Sequence, residues 1–298
     1  IPTTTVSGGG CNIIMGTNIS YGGGLPGATP VNTPRGWLGK LTFIPASPCI
    51  DPPTAGTPTA TASTICTGQS TIISLTGGTG GTGQSYQWES STVSGGPYTT
   101  GPTTASITVS PTSDTYYRCT VTCGSNSSTS SEILITVPLP FPGGFYTIDN
   151  TLSTGGGNFA SFAEAVSAIA CGISGPIVFD VAPGTGPYNE QVTIPQIGGA
   201  SATNTITFNG YNETLTFNAT GSSYHTFGLN GADYIRVNDL NIVGTGTTAL
   251  VGHLWNNADN NIFTNCTFTA PANGTSTTQV PFSCSGSEIS ATTAGLSG

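Results

Sequence analysis

The sequence predicts an all-β protein: a β-sandwich followed by a solenoid of stacked strands, with one helix capping the stack. Three observations carry that expectation. The first is composition. There are 52 Thr, 31 Ser, 43 Gly and 21 Pro, and charged residues make up 6% of the chain, against about 25% in an average soluble protein. Hydrophobic residues make up 36%, many of them β-branched or aromatic, which suits pleated surfaces joined by turns rather than a disordered chain. The second is alternation. Over 115–123, Tyr117, Cys119, Val121 and Cys123 fall on one face and Arg118, Thr120 and Thr122 on the other, the pattern of a half-buried strand. The third is a repeat: Asn230-Gly-Ala-Asp233 returns 26 residues later as Asn256-Asn-Ala-Asp259.

The charge balance excludes several functions. Arg35, Lys40, Arg118 and Arg236 are the basic residues and the formal charge is −9. Four scattered cations cannot form the basic stripe that displaces counterions from nucleic acid, nor hold the chain on an anionic membrane. No apolar run approaches the ~20 residues needed to span a bilayer. Eight Cys beside a single Met suggest an oxidising compartment. Few sites for trypsin-like proteases suit an extracellular life. The chain starts at Ile1 without an initiator Met and stops in 290–298 without a terminating signal, so it is expected to be a processed or partial chain.

In chain order, residues 1–50 form a Gly-rich segment with short apolar runs, too short for a core of their own. They read as the end of a preceding β domain or as an extension packed on a neighbour, and Cys11 and Cys49 are placed to close the segment on itself. Asp51-Pro52-Pro53 reads as a stiff linker. Residues 51–138 read as the sandwich, with strands expected at 71–75, 85–89, 106–109, 116–122 and 132–137. The Pro- and Gly-rich stretch 139–144 is a second linker.

Residues 145–298 open with a helix over 158–172. Ser161 and Glu164 form a capping box, Phe162, Val166 and Ile169 share a face, and Gly172 is the stop. Strands follow at 177–181, 191–194, 205–208, 215–217, 234–243 and 261–269. The 26-residue offset maps Val237 to Phe263, Leu240 to Cys266 and Ile242 to Phe268, while Ile177, Ile206 and Ile235 stand 29 apart. A period in the twenties, with one apolar strand per period, indicates rungs that share a core.

Two segments resemble known families. Cys66, Trp88 and Asp114-Thr-Tyr-Tyr117-Arg-Cys119 make the sandwich similar to immunoglobulin-like domains. That resemblance implies a Cys66–Cys119 disulfide, with Cys66–Cys123 as the alternative. Ile177-Val-Phe-Asp-Val-Ala-Pro-Gly-Thr185, Tyr188-Asn-Glu-Gln-Val-Thr-Ile194 and Ala232-Asp-Tyr-Ile-Arg-Val-Asn-Asp-Leu-Asn-Ile242 resemble right-handed parallel β-helix (pectin lyase-like) domains. An Ig-like β-sandwich followed by such a β-helix resembles the large Thr/Gly-rich surface proteins that gliding bacteria export by type IX secretion. The resemblance implies an adhesin or a cell-surface filament, with copies of itself, other surface proteins or glycans as partners.

Enzymatic chemistry is poorly supplied. Arg236 is the one Lys or Arg after residue 118, and no cofactor or metal motif is present. Asp233 and Asp259, one repeat apart, are the best carboxylate pair. Asn and Asp at such turns more often satisfy nearby backbone N–H groups. His225 and His253 are candidates to stack on adjacent rungs, but no third ligand lies near them in sequence. Cys266 and Cys284 either bond across rungs or fill the inner stack. Cys171 reads as structural. Trp88, Trp255 and Tyr188 are the candidate sugar platforms; Trp88 is expected in the core, which leaves Trp255, placed outside the regular strands, as the candidate glycan contact. The expected function is a non-enzymatic, extracellular structural or adhesive protein of a bacterial surface.

Overall fold

The computed structural model describes residues 4–8, 11–15, 48–272 and 278–294. β1 (Thr4–Gly8) and β2 (Cys11–Met15) form an antiparallel hairpin with Val6 opposite Ile13. The rest of the Gly-rich segment before Pro48, and a bond from the Cys11 side chain, lie outside the described residues.

The next eight strands form two antiparallel sheets. β3 (Thr57–Ala60), β4 (Thr71–Thr76) and β7 (Ser106–Val109) make one. β5 (Ser85–Ser91), β6 (Thr99–Thr100), β8 (Thr115–Cys123), β9 (Asn126–Thr129) and β10 (Ile133–Ile135) make the other. In β8 the odd positions are buried throughout, as the alternation predicts. Ile73 and Ile107 of the first sheet share a core with Trp88, Cys119, Val121 and Ile135 of the second. Trp88 is directly opposite Cys119, and its indole N–H donates to the Thr104 carbonyl at 2.9 Å. The expected linker at residue 51 is instead tied down: the Asn126 amide donates to Asp51 Oδ1 at 2.8 Å, and the Cys49 N–H to the Thr82 carbonyl at 3.0 Å.

From residue 144 the chain winds into a β-solenoid of about five turns. β11 (Gly144–Ile148), β12 (Asn158–Phe159) and α1 (Phe162–Ala168) form its first turn. Four full rungs follow. They are β13 (Ile177–Val181), β14 (Tyr188–Asn189) and β15 (Val192–Pro195); β16 (Ile206–Asn209), β17 (Thr214–Phe217) and β18 (His225–Asn230); β19 (Ile235–Asn238), β20 (Asn241–Gly244) and β21 (Leu250–Trp255); and β22 (Ile262–Thr264), β23 (Thr267–Thr269) and β24 (Val280–Cys284). They stack into three parallel sheets, β12-β11-β13-β16-β19-β22, β14-β17-β20-β23 and β15-β18-β21-β24.

The sequence repeat is the strand register. Ile177, Ile206 and Ile235 stand opposite one another, as do Val237 with Phe263 and Ile242 with Phe268. Each full rung carries three strands rather than one: the sequences at 234–243 and 261–269 each break at a corner into two, and β21 and β24 add the third. Asp239 and Asn265 hold those corners at φ 51° and 53°, a left-handed conformation that Asp and Asn tolerate better than β-branched residues. Inside, Phe179 stacks on Phe208 with centroids 5.0 Å apart, and Phe208 meets Phe227 edge-on. Burying each such ring is worth about 1.5–3 kcal/mol.

The helix is shorter than expected at both ends. Asn158 and Phe159 pair with β11 as a strand, and the chain leaves the helix at Ile169. The capping box is present in modified form. Ser161 Oγ accepts from the Glu164 N–H at 3.1 Å, but the Glu164 carboxylate reaches the Ala160 N–H, one residue further back than the usual partner. A second acid completes the cap: Glu190, from the rung below, accepts the Phe162 and Ala163 N–H groups at 2.9 and 2.8 Å. Burial pushes its carboxyl above the ordinary range.

Candidate functional site

Several of the coil's acids hold backbone N–H groups. Asp233 Oδ1 accepts the Asp259 N–H at 2.7 Å, so the best carboxylate pair is a rung-to-rung fastening. Glu213 accepts the Gly184 and Gly186 N–H groups, and Asp149 accepts the Thr151 N–H at 2.8 Å. On the first sheet the Asn238 amide donates to Asn209, and the Asn209 amide to Asp180, at 2.9 and 2.8 Å. That ladder uses the side-chain acceptors and donors of three rungs on one another.

The histidines meet around Trp255. Thr193, Gly228, His253 and Ser283 occupy one register column of the β15-β18-β21-β24 sheet. The flanking column Ile194–Leu229 is core, so alternation turns this column to the sheet's other face. His253 nevertheless has no exposed surface, and His225 and Trp255 are 1% and 4% exposed. The His225 and His253 rings lie 5.1 and 5.2 Å from Trp255. Gly228 makes room for them: a Cβ there would stand 2.6 Å from the His225 ring and 2.8 Å from that of Trp255. Trp255 is therefore almost wholly buried where an exposed platform was expected, because residues 250–255 are a third strand per turn and not a loop. Tyr188 is buried too, its hydroxyl donating to the Ile148 carbonyl at 3.0 Å, and Trp88 lies in the sandwich core.

His253 Nε2 lies 2.8 Å from the Ser287 carbonyl, so it carries the proton, and Nδ1 accepts from Ser283 Oγ at 2.7 Å. This is a hydroxyl–imidazole pair oriented by a third group, the arrangement of an activated nucleophile. The sequence gives no hint of it, since Ser283 lies 30 residues from His253. Both side chains are buried, and the adjacent pocket of about 180 Å³ is lined by Trp255, Asp259, Cys284 and others but by neither of the pair. Burial holds the His253 imidazole below its ordinary pKa, against the opposing pull of the Ser287 carbonyl. His225 is lowered to about 4, chiefly by burial and then by His253. His225 Nε2 bonds Thr193 Oγ1 at 2.7 Å, while Nδ1 has no hydrogen-bond partner among the described residues. No group of three His, Cys, Asp or Glu side chains suited to a metal occurs among the described residues.

The cysteines pair differently from expectation. Cys49 bonds Cys123 and Cys66 bonds Cys171. Alternation explains the first correction. Ile65 points into the sandwich core at 4% exposure, so its neighbour Cys66 faces away from Cys119 and towards the first turn of the coil. Cys119 stays a free thiol beneath Trp88, raised to about 11 by burial. Cys49 is committed to Cys123, which rules out its closure onto Cys11. Cys266 and Cys284 are both free: Cys266 sits at the β22–β23 corner against the Val237 carbonyl and Cys284 on β24. Burial raises both thiols, which keeps them poor nucleophiles.

An open groove also lies among the described residues, beside the first turn of the coil. It has a volume of about 600 Å³ and is lined by Phe145, Leu152, Asn158, Asp180 and the Gly155–Gly157 backbone among others. Phe145 is 82% exposed. Asp180 beside it is fixed by Asn209 and by the Tyr211 hydroxyl at 3.1 Å. An exposed ring beside an oriented carboxylate is the chemistry the sequence sought at Trp255. Here the ring comes from β11 and the carboxylate from its neighbour β13.

Residues 54–138 match a family described as a domain of unknown function (DUF8696). No curated protein and no solved structure matches the chain.

Proposed function

We propose that this chain is part of a non-enzymatic, extracellular structural or adhesive protein of a bacterial cell surface, in the manner of type IX-exported adhesins and filaments. The observation that carries the reading is the Cys66–Cys171 disulfide, which staples the two-sheet module to the first turn of the coil across 105 residues. Such a bond persists in an oxidising compartment and is rare in the cytosol. The acids of the coil support it further, since Asp149, Glu164, Asp180, Glu190, Glu213 and Asp233 each accept N–H or O–H groups of the scaffold itself.

Within this reading the first module is Ig-like. Its sheets run β3-β4-β7 and β6-β5-β8-β10, with Trp88 opposite Cys119, an arrangement akin to the two sheets and core Trp of that fold. The coil is a right-handed parallel β-helix. Partners are copies of the chain, other surface proteins or glycans. Immunogold labelling of intact native cells tests the placement: fibres or a surface layer are expected, and label that appears only after lysis would overturn it.

The groove at Phe145 favours a second reading, a glycan-binding module. Saturable binding of a soluble polysaccharide that is weakened at least tenfold by Phe145→Ala, with unchanged thermal unfolding, supports that reading. Release of unsaturated or reducing sugars from pectin-like polymers would instead point to an enzyme.

A further inference from the structure

Four cysteines interleave along the chain: Cys49, Cys66, Cys123 and Cys171, the first bonded to the third and the second to the fourth. We infer that this wiring makes Cys66–Cys171 a bypass for tension. The shortest covalent route for a load entering ahead of Cys49 and leaving beyond Cys171 omits residues 67–170. The use of such a bypass rests on the cell-surface reading above; the wiring does not.

The argument is one of path length. From Cys49 the chain reaches Cys66 in 17 residues and crosses the bond to Cys171. The alternative crosses from Cys49 to Cys123 and then needs 48 residues to reach Cys171. A taut chain loads the shorter route. That route extends by about 60 Å at most, at roughly 3.3–3.6 Å per residue. Without either bond the same interval is 122 residues long.

What the bypass shields includes the sparsely paired first turn of the coil. Tension arriving through 139–144 would draw on β11, which pairs with β13 along its length but with β12 over Thr147 and Ile148 alone. It would peel that strand, β12 and α1 from the end of the solenoid. With the bond in place, load enters the coil at Cys171, beside Gly172 and Ile173, whose backbones bond Phe141 and Gly198. On the other side the loaded stretch is 50–65. It is held by β3 against β4, with Thr57 opposite Thr76 and Ala60 opposite Ile73, and by the Ile65 and Thr136 N–H groups bonding across to the Thr136 and Ser63 carbonyls at 3.0 and 2.8 Å.

Stretching the full chain between handles at its two ends tests this, once peptide mapping without reductant has confirmed both pairs. Reduction of the folded protein in place should lengthen the total release by 105 residues, about 350–380 Å. The oxidised Cys49→Ser/Cys123→Ser variant should match the wild-type length. Oxidised Cys66→Ser/Cys171→Ser should exceed it by 31 residues, the 48-residue route replacing the 17-residue one, or about 100–110 Å. Equal lengths before and after reduction, or the reverse order of the two variants, would overturn the inference. Should a variant not fold, the reduction of wild type still decides. Failure of the surface reading registers separately, in the labelling of intact cells.

Discussion

Acid should loosen the coil through His225, and by a predictable amount. The imidazole is 1% exposed and its pKa is lowered to about 4 from an ordinary 6.5. A base with a depressed folded pKa binds fewer protons when folded than when unfolded, so its contribution to stability is complete above pH 6.5 and shrinks as pH falls towards 4. At 1.36 kcal/mol per unit, the loss is about 2 kcal/mol by pH 5 and about 3 kcal/mol below pH 4. The structural cause is specific. Protonation would put a second N–H on a ring whose Nδ1 has no acceptor among the described residues, beside the His253 ring and against Trp255. His253, also lowered and facing Ser283, Ser287 and the field of Glu288, acts in the same direction. Glu190, whose carboxyl is raised by burial, acts oppositely, because its neutral form is the better tolerated; its share is common to the parent and the His225 variant and cancels in their comparison. Trp37→Phe/Trp88→Phe leaves Trp255 as the fluorophore of the coil, and urea unfolding at pH 7, 6 and 5 then follows the coil alone. His225→Gln should flatten most of the pH dependence and keep the share belonging to His253. If parent and His225→Gln lose stability in parallel from pH 7 to 5, the assignment to His225 is wrong.

Three further outcomes follow from the packing. Gly252→Ala should cost about 1–3 kcal/mol in coil stability, because its Cβ would stand 2.5 Å from the Phe268 ring and 2.7 Å from that of Phe282; Gly80→Ala, with open space around it, should be silent in the same denaturation series. Glu190→Ala leaves the first N–H groups of α1 without their acceptor and should cost about 1–3 kcal/mol, seen as faster amide exchange at Phe162 and Ala163. Asn209→Ala cuts the ladder between Asp180 and Asn238 and should cost about 0.5–1.5 kcal/mol, while Thr207→Ala on the same strand serves as the control.

The sequence was most legible where one physical constraint repeats. A strand must present the same face to the strand a turn away, so a 29-residue spacing of isoleucines and a 26-residue spacing of Val237 to Phe263 were registers before they were coordinates. The change of period is itself physical. Strands cannot gain a residue without turning their side chains over, so length varies at corners: Asp239 and Leu240 span in two residues what 210–213 spans in four. The third strand was legible in the first full rung, where the strand expected at 191–194 is β15, but not in the turns that follow. In β18 and β21 both faces are buried, which removes the alternation a half-exposed strand shows. Trp255 was misplaced for that reason, and with it the candidate ligand contact.

Disulfide partners were illegible for a different reason. Pairing depends on where two elements distant in sequence come to rest, and the family-like spacing of Cys66, Trp88 and Cys119 pointed inside the module. One local fact argued otherwise. Ile65 is the residue that a two-sheet core needs, and it leaves the adjacent Cys66 facing outward, where the next body to meet is the first turn of the coil at Ala170 and Cys171. A cysteine one step out of phase with a buried neighbour is thus a candidate for bonding between modules. The same test places Cys119 inside, in phase with Tyr117 and Val121. Substituting Cys119→Ala should therefore leave both disulfides in the peptide map and change stability only by the packing beneath Trp88, whereas a scrambled map would mean that Cys119 competes for Cys66 during folding.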